Sequence, residues 1–476
     1  MTVRVRFAPS PTGLMHIGGI RTALLNYLFA RQKQGTFILR IEDTDAARDF
    51  DPRAKHIMSD LEWLDLAHDE GPITGGPYAP YFQSERSQYY QHQLNLLAQH
   101  NHIYRCFCTN EELEQKRQRA ITLKQPPRYD RICLNLSTTI VQYNLQQGMP
   151  FIWRFKIASE GSVTLTDLAH GPMTFELKNF ADFPLTRADG SFTFLFTNAV
   201  DDMLMQITHV LRGSDHLSNT ANQALLYAAF NKELPLFWHL PIICNVSGKK
   251  LSKRDFGFNL EHLKEAGFVP EAINNYVAII GASFKDEIMN LEQLTKTMNF
   301  KEIKAIGNIR YDIDKLRWVN HKWLQQYDPA HLAARALPFL TSAYPTIEQL
   351  DHTTFINLMQ VIKSEMVTLM DAIPALHFYF YEPTISPEIL QSHIAADQRT
   401  IIHNIIREIT SLADQPAVLI KTAQESCKKH TIPVKVIFSA LRLALTGSVK
   451  GPAIVDVITV LGTEKSKQRL GKFMLI

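Results

Sequence analysis

The feature that most constrains this chain is the junction at residues 6–29, RFAPSPTGLMHIGGIRTALLNYLF, where a charged alternating segment passes through prolines and glycines into an apolar-periodic one. In VRVRF, Val3, Val5 and Phe7 alternate with Arg4 and Arg6, the period of a strand, which puts Arg6 near its carboxyl end opposite the apolar face. Past Gly18 and Gly19, the residues Ile20, Ala23, Leu24, Tyr27 and Leu28 recur at helical spacing, and Gly35 offers a stop. His16 then stands just before a helix N-terminus. Unpaired amides and the positive end of the helix dipole favour anions there, and glycines let a ligand approach the backbone, so the junction is a place to hold phosphates.

The next apolar run, TFILRIEDTD, reads as a parallel strand ending in acids. Ligands of doubly wound sheets bind beyond the carboxyl ends of strands, which places Glu42, Asp43 and Asp45 to meet a cationic group, with Asp45 also suited to cap the following helix. From about Tyr104 the pattern changes to a short-spaced cysteine pair, a basic helix EELEQKRQRA, and β-rich segments with turns at His170-Gly171-Pro172 and Ala188-Asp189-Gly190. This reads as an insertion. The α/β pattern returns with Asn198 opening a helix, ITHVLRG as a strand that ends at Arg212 on the ligand side, and Asn219 or Thr220 capping the next helix. After HLPIIC, a loop sets Lys249, Lys250, Lys253 and Arg254 close together beside Gly248, flexible cations able to close on a polyphosphate. Beyond Phe256 only helical patterns appear, among them TIIHNIIREITSL.

A chain of 476 residues is too long for one core, so two to four domains are expected. Its hydrophobic content of 45% and charged content of 20% are those of an ordinary soluble protein, and a net charge of +3 leaves any polyanion contact to local basic patches. With no apolar targeting core at MTVRVRF and no run long enough for a bilayer, a cytoplasmic protein without membrane contact is expected. Five cysteines do not make a disulfide scaffold at this length, and Cys244 and Cys427 read as buried small residues. Cys106, Cys108, Tyr129 and Cys133 can together supply three thiolates and a phenolate to zinc; the other reading is a metal-free module.

The string Pro9, Ser10, Pro11, Thr12, Gly13, Leu14, Met15, His16, Ile17, Gly18, Gly19 closely resembles the HIGH signature of class I aminoacyl-tRNA synthetases in its glutamyl form. Its last position is glycine rather than histidine, where the glutamyl family commonly varies. Lys250, Leu251, Ser252, Lys253 and Arg254 resemble the second signature, KMSKS, as KLSKR, and RGSDHLSNT resembles the family's second substrate segment. The likeness implies an α/β class I Rossmann-like doubly wound parallel sheet with an inserted α+β module, followed by all-helical domains. It divides the chain into a first catalytic half at 1–103, an acceptor-binding insertion at 104–193, a second half with the KLSKR loop at 194–255, a stem-contact module at 256–325 and an anticodon-binding region at 326–476.

By the same resemblance, His16 and Lys253 are catalytic, and Ser10, His16, Gly18, Gly19 and Lys253 bind ATP, which enters with Mg2+. Glutamate is met by Arg6, Ala8, Ser10, Glu42, Phe194, Asn198, Arg212 and Asp215: paired hydrogen bonds from Arg6 to the γ-carboxylate, Glu42 on the ammonium, Arg212 on the α-carboxylate. Where the family often has a tyrosine, this chain has Phe194, so a hydroxyl donor is missing; where zinc-bearing members often have a histidine, it has Asn135. The activity implied is glutamate:tRNA ligation on tRNA(Glu), with tRNA(Gln) as an alternative acceptor, by a monomer. Three rivals are a shorter paralogue that glutamylates a queuosine base, a catalytically silent tRNA-binding module and a smaller nucleotidylyltransferase. The long helical C-terminus speaks against the first and third, and the retained histidine and loop lysine against the second.

Overall fold

The computed structural model describes residues 2–44, 51–252, 255–303 and 307–475; Asp45, Lys253 and Arg254 lie outside them. The chain forms two compact units, Met1–His262 with Asn274–Ile313, and Leu263–Ile273 with Asp314–Ile476.

The first unit opens with β1 (Arg4–Phe7), which crosses over through α1 (Ile17–Gln32) to pair in parallel with β2 (Thr36–Leu39), Arg4 opposite Thr36 and Phe7 opposite Leu39. Both faces of β1 are covered, as parallel sheets require, so Arg6 is as buried as Val5 rather than turned to an open side. Each arginine of the strand takes a carboxylate, Arg4 with Glu70 at 2.8 Å and Arg6 with Asp202 at 3.0 Å. The expected stripe of α1 is buried at Ile20, Ala23, Leu24 and Leu28, and the helix ends at Gln32 with Lys33 as its cap. Gly35 serves a close approach instead of a stop: a Cβ there would meet the Val3 carbonyl oxygen at 2.4 Å.

Next come α2 (Lys55–Trp63), α3 (Ser87–Gln99) and the antiparallel pair β3 (Ile103–Cys106) and β4 (Ile152–Phe155). Between these two strands lie α4 (Asn110–Thr122) and α5 (Thr138–Gln146). Thr109 and Glu112 form a reciprocal cap at the start of α4, which compensates for a helix with no buried residue. The hairpin β5 (Ser162–Asp167) and β6 (Gly171–Glu176) then joins the sheet made by β7 (His209–Gly213) and β8 (Leu236–Leu240), in the order β6-β5-β8-β7 with β5, β7 and β8 parallel. The segment before α6 thus lends two strands to the sheet of the segment after it. Thr208 ties this sheet to β1, donating its amide to the Arg4 carbonyl at 3.0 Å while its hydroxyl accepts from the Arg4 amide at 2.8 Å.

Two helices carry the remaining site residues, α6 (Phe194–Leu204) and α7 (Leu217–Ala229). Asn198 does not open α6; Thr193 is the N-cap, which sets Asn198 in the second turn, buried. Nor do Asn219 and Thr220 cap α7, because a 3₁₀ turn at Ser214–His216 starts the helix earlier and brings both into its first turn. Phe196, Ala199 and Val200 of α6 pack with Phe155, Leu185 and Leu226, while Ile38, Leu165, Val210 and Phe237 fill the space along the sheet.

Among its described residues the second unit contains helices and no strand. Its periodic segments fold as read: in Arg399–Thr410, Ile402, Ile405, Ile406 and Ile409 are buried, and Gly447, at φ 74°, ends Val434–Thr446 in the left-handed conformation that favours glycine. Among the described residues no helix is long and apolar enough to cross a membrane.

Candidate active site

The carboxyl ends of β1, β2, β7 and β8 open into a cavity of about 910 Å³. One side of it is built by the junction at residues 6–29, where sequence leads one to expect phosphates. Gly13, at φ +143°, turns the loop, while Met15 and Ile17 anchor it in the core. His16 is the N-cap of α1: its Nδ1 accepts the Gly19 amide at 3.0 Å. With Nδ1 occupied as an acceptor, a neutral ring carries its proton on Nε2, a donor. Loss of solvent and then the Lys250 cation lower its pKa, so the ring is neutral at physiological pH. A Cβ on Gly18 would come within 3.1 Å of the His16 ring, so this glycine gives the imidazole its room.

The helix amides, expected from sequence to be free for phosphate, are largely spent. Ile17 donates to the Phe258 carbonyl at 2.9 Å, Gly19 to His16, and Ile20 to the His16 carbonyl at 3.0 Å. In the first turn this leaves the amide of Gly18 among the described residues.

Every residue expected to meet glutamate lines the cavity: Arg6, Ala8 and Ser10 from β1 and its loop, Glu42 beyond β2, Phe194 and Asn198 from α6, Arg212 from β7 and Asp215 after it. Two of them, and the neighbouring Asp43, make bonds that sequence did not point to. Arg6 has committed its Nε–Nη2 edge to Asp202, at 3.0 and 3.2 Å, a carboxylate that sequence did not point to, and keeps the N–H groups of its Nη1–Nη2 edge. Asp43 does not face the cavity; it accepts the amide and hydroxyl of Ser84 at 2.8 and 2.6 Å and pins that loop. Asp215 is held by Lys250 at 3.0 Å, an ion pair that overcomes burial and lowers the carboxyl pKa. Of the KLSKR loop, Lys250 and Leu251 line the cavity, and Ser252 bonds Asp255 at 2.8 and 2.9 Å; Lys253 and Arg254 fall outside the described residues.

Behind the cavity lies a buried ionic network that sequence reasoning missed. Arg40, fully buried, bridges Asp202 at 2.6 Å and Glu42 at 3.1 Å. Burial raises the pKa of Glu42 even against Arg40, whereas for Asp202 the arginines win and lower it. Glu42 accepts from Asn198 at 2.6 Å, Asn198 accepts from Gln223 at 2.8 Å, and Gln223 accepts from Arg212 at 2.8 Å. Arg212 has no carboxylate partner among the described residues: its other bonds go to Thr220 at 2.6 Å and His239 at 3.4 Å, and its buried Nη1 has none. Desolvation, and next the nearby Arg6 charge, bring its pKa down to about 9. Arg6 and Arg40 thus share Asp202, Arg40 also meets Glu42, and Arg212 has no carboxylate at bonding distance among the described residues.

In the β3–β4 region, Cys106, Cys108 and Cys133 bring their sulfurs within 4.8 Å of one another, and the Tyr129 hydroxyl lies 3.2 Å from the Cys106 sulfur.

Residues 2–318 match the family described as tRNA synthetases class I (E and Q), catalytic domain, and residues 331–474 match the anticodon-binding domain. This chain belongs to that synthetase family. Its relatives include the glutamate–tRNA ligases of Sulfurihydrogenibium sp., 36% identical over 99% of both chains, and of Carboxydothermus hydrogenoformans, 35% identical over 98% of this chain and 99% of the relative. Among solved structures, a glutamate tRNA ligase from Elizabethkingia meningosepticum in complex with its amino acid superposes with a TM-score of 0.90 at 30% identity, covering 100% of this chain and 99% of that one. The family's α/β catalytic body and helical C-terminal part are the architecture described above.

Proposed function

We propose that this chain activates glutamate with ATP to glutamyl-adenylate and then esterifies the 3′-terminal adenosine of tRNA(Glu). The observation that carries the reading is Arg212, a buried guanidinium lining the cavity whose Nη1 has no partner and which has no carboxylate at bonding distance among the described residues. Glutamate brings two carboxylates and one ammonium, a net charge of −1, whereas glutamine is neutral overall. The Arg212 edge receives one carboxylate, Glu42 faces the ammonium, and the Nη1–Nη2 edge of Arg6 is left for the other carboxylate.

Catalysis is positioning and charge stabilisation. A substrate carboxylate oxygen bonds to the α-phosphorus, the bond to the bridging oxygen breaks, and pyrophosphate leaves. His16 donates from Nε2 to a phosphate oxygen, and the Gly18 amide and Ser10 add donors at the same edge. Lys253, assigned by motif, neutralises the departing pyrophosphate. Magnesium enters with ATP and supplies charge neutralisation on the phosphates.

The donor set at Cys106, Cys108, Cys133 and Tyr129 fits zinc. Sulfurs bound at about 2.3 Å to a tetrahedral ion stand about 3.8 Å apart, and Cys108 and Cys133 are at 3.6 Å. Zinc there would fix the insertion at 104–193, which the five-part division makes the acceptor-end module. Metal analysis decides: near-stoichiometric zinc lost in Cys106→Ser supports the site, and metal-free protein with full activity removes it. The helices of 326–476 are proposed to read the anticodon, and the protein to work as a cytoplasmic monomer.

Charging purified tRNA(Glu) and tRNA(Gln) with labelled glutamate tests the function. Glutamylation of tRNA(Glu) alone is the expected result, transfer to both would make the enzyme non-discriminating, and transfer to neither rejects the assignment.

A further inference from the structure

Behind Arg212, outside the cavity lining, lies a buried group that no signature residue contributes. Asp167, at the end of β5, is fully surrounded: Oδ1 accepts the amides of Ala169 and His170 at 2.8 and 2.9 Å and meets His170 Nδ1 at 2.9 Å. Its Oδ2 meets the amide of His239 at 3.1 Å and the Nδ1 of the same residue at 2.6 Å. A carboxylate so supplied with donors stays ionised; its pKa is brought down to about 2, burial being outweighed by its hydrogen bonds to His239 and His170. His239 is 0% exposed, and burial lowers its pKa. A neutral ring whose Nδ1–H is donated to Asp167 must carry its lone pair on Nε2. That nitrogen lies 2.9 Å from the Thr220 hydroxyl and 3.4 Å from Arg212 Nε. The Phe237 ring stacks on the imidazole at 5.9 Å and lies 5.4 Å from the centre of the Arg212 guanidinium.

The guanidinium is therefore cradled by three uncharged acceptors. Nε turns toward His239, Nη2 is shared between Thr220 and Gln223, and Nη1 alone is left over. A carboxylate in the place of His239 would bond as well but would neutralise the charge that a substrate anion needs. An imidazole fixes the orientation and leaves the charge in place, while the anion that fixes the imidazole stands one ring farther away.

We propose that Asp167 and His239 are positioning residues for the amino-acid substrate, the Asp167-bound ring presenting an Nε2 lone pair that turns the free edge of Arg212 toward the cavity. The inference rests on the reading that Arg212 receives a substrate carboxylate.

Asp167→Asn tests it through the tautomer. The amide that replaces the carboxylate offers N–H to Nδ1, the ring proton moves to Nε2, and a donor then opposes the Arg212 Nε–H. In steady-state aminoacylation by the full chain, the glutamate KM should rise about tenfold or more, the effect of one misdirected hydrogen bond to a charged group, with the ATP KM within about twofold of the parent. His239→Leu should do the same. His239→Gln, which keeps an acceptor toward Arg212, should restore the glutamate KM most of the way, and if Asp167→Asn does not fold, the contrast between His239→Leu and His239→Gln carries the test. Folded Asp167→Asn or His239→Leu with an unchanged glutamate KM overturns the proposal, as does a parallel rise in both KM values or a His239→Gln no better than His239→Leu. Arg212→Ala in the same assay separates the two levels: if it leaves the glutamate KM unmoved, the reading of Arg212 fails, and if it raises KM while the Asp167 and His239 variants do not, only the positioning role falls.

Discussion

Arg6 and Arg212 are both buried arginines at the carboxyl ends of neighbouring strands, and both line the same cavity. They are bonded in opposite ways. Arg6 is held in a two-point pair by Asp202, which Arg40 shares, while Arg212 is held by a hydroxyl, an amide and an imidazole and keeps its charge. Breaking a buried ion pair leaves an uncompensated charge and destabilises the fold, whereas a buried cation without a counterion already opposes folding and is repaid only when an anion binds. One arginine is therefore tied into the structure, while the other keeps a charge that, on the proposed function, a substrate carboxylate meets. Sequence alone does not separate them, since each is an arginine ending an apolar strand.

The largest effect expected from this contrast is at Arg212. Arg212→Ala should lower kcat/KM for glutamate by about a thousandfold, from loss of a buried charge pair with the substrate, with little effect on tRNA binding measured separately. A loss of less than about tenfold would leave the charge contrast without functional meaning. Arg6→Ala should act first on the fold: Asp202 keeps Arg40 but loses its bonds from Arg6, which costs about 1.5–3 kcal/mol, visible as a lower unfolding midpoint in denaturant. If its stability is unchanged while the glutamate KM climbs steeply, Arg6 is the substrate clamp that sequence suggests and the contrast collapses.

A smaller effect belongs to Asp167. Its folded pKa of about 2 lies below the ordinary carboxyl value near 3.8, so its contribution is complete above about pH 5 and is lost as pH falls toward 2. Asp167→Asn should flatten that part of the pH–stability curve by roughly 1–2 kcal/mol; an unaltered acid limb would mean the carboxylate is not held as described. The smallest effect is at Phe194, whose ring packs 5.4 Å from that of His216 at the cavity wall. Phe194→Tyr adds a hydroxyl where the charges are already matched, so the glutamate KM should move by no more than about threefold. A larger improvement would show that a donor is missing from the pocket after all.

What was legible in the sequence follows the range of the physics involved. Alternation at Val3, Val5 and Phe7, the helical stripe of α1 and the isoleucines of Arg399–Thr410 are local patterns, and the elements they predict are present. The position of His16 at a helix start is local too, yet the use of the Gly19 amide by His16 itself depends on a side-chain rotamer, and periodicity does not report rotamers. Asp202, Gln223 and His239 left no signal of this kind. An acid in a helix with a second acid beside it, as at Asp201-Asp202, reads as a solvated face; its burial comes from an arginine 196 positions away. Asp167 ends β5 within the segment that sequence marks as an insertion, and only the joining of β5 to β8 brings it to His239.

The central claim is that Arg212 carries a charge the fold leaves for glutamate, and ligand-dependent thermal unfolding of the parent and Arg212→Ala tests it most directly. The account predicts that glutamate, and not glutamine, raises the midpoint of the parent, while Arg212→Ala unfolds without ligand at the parent's temperature or above and gains nothing from glutamate. A variant that is less stable than the parent and still protected by glutamate would contradict it.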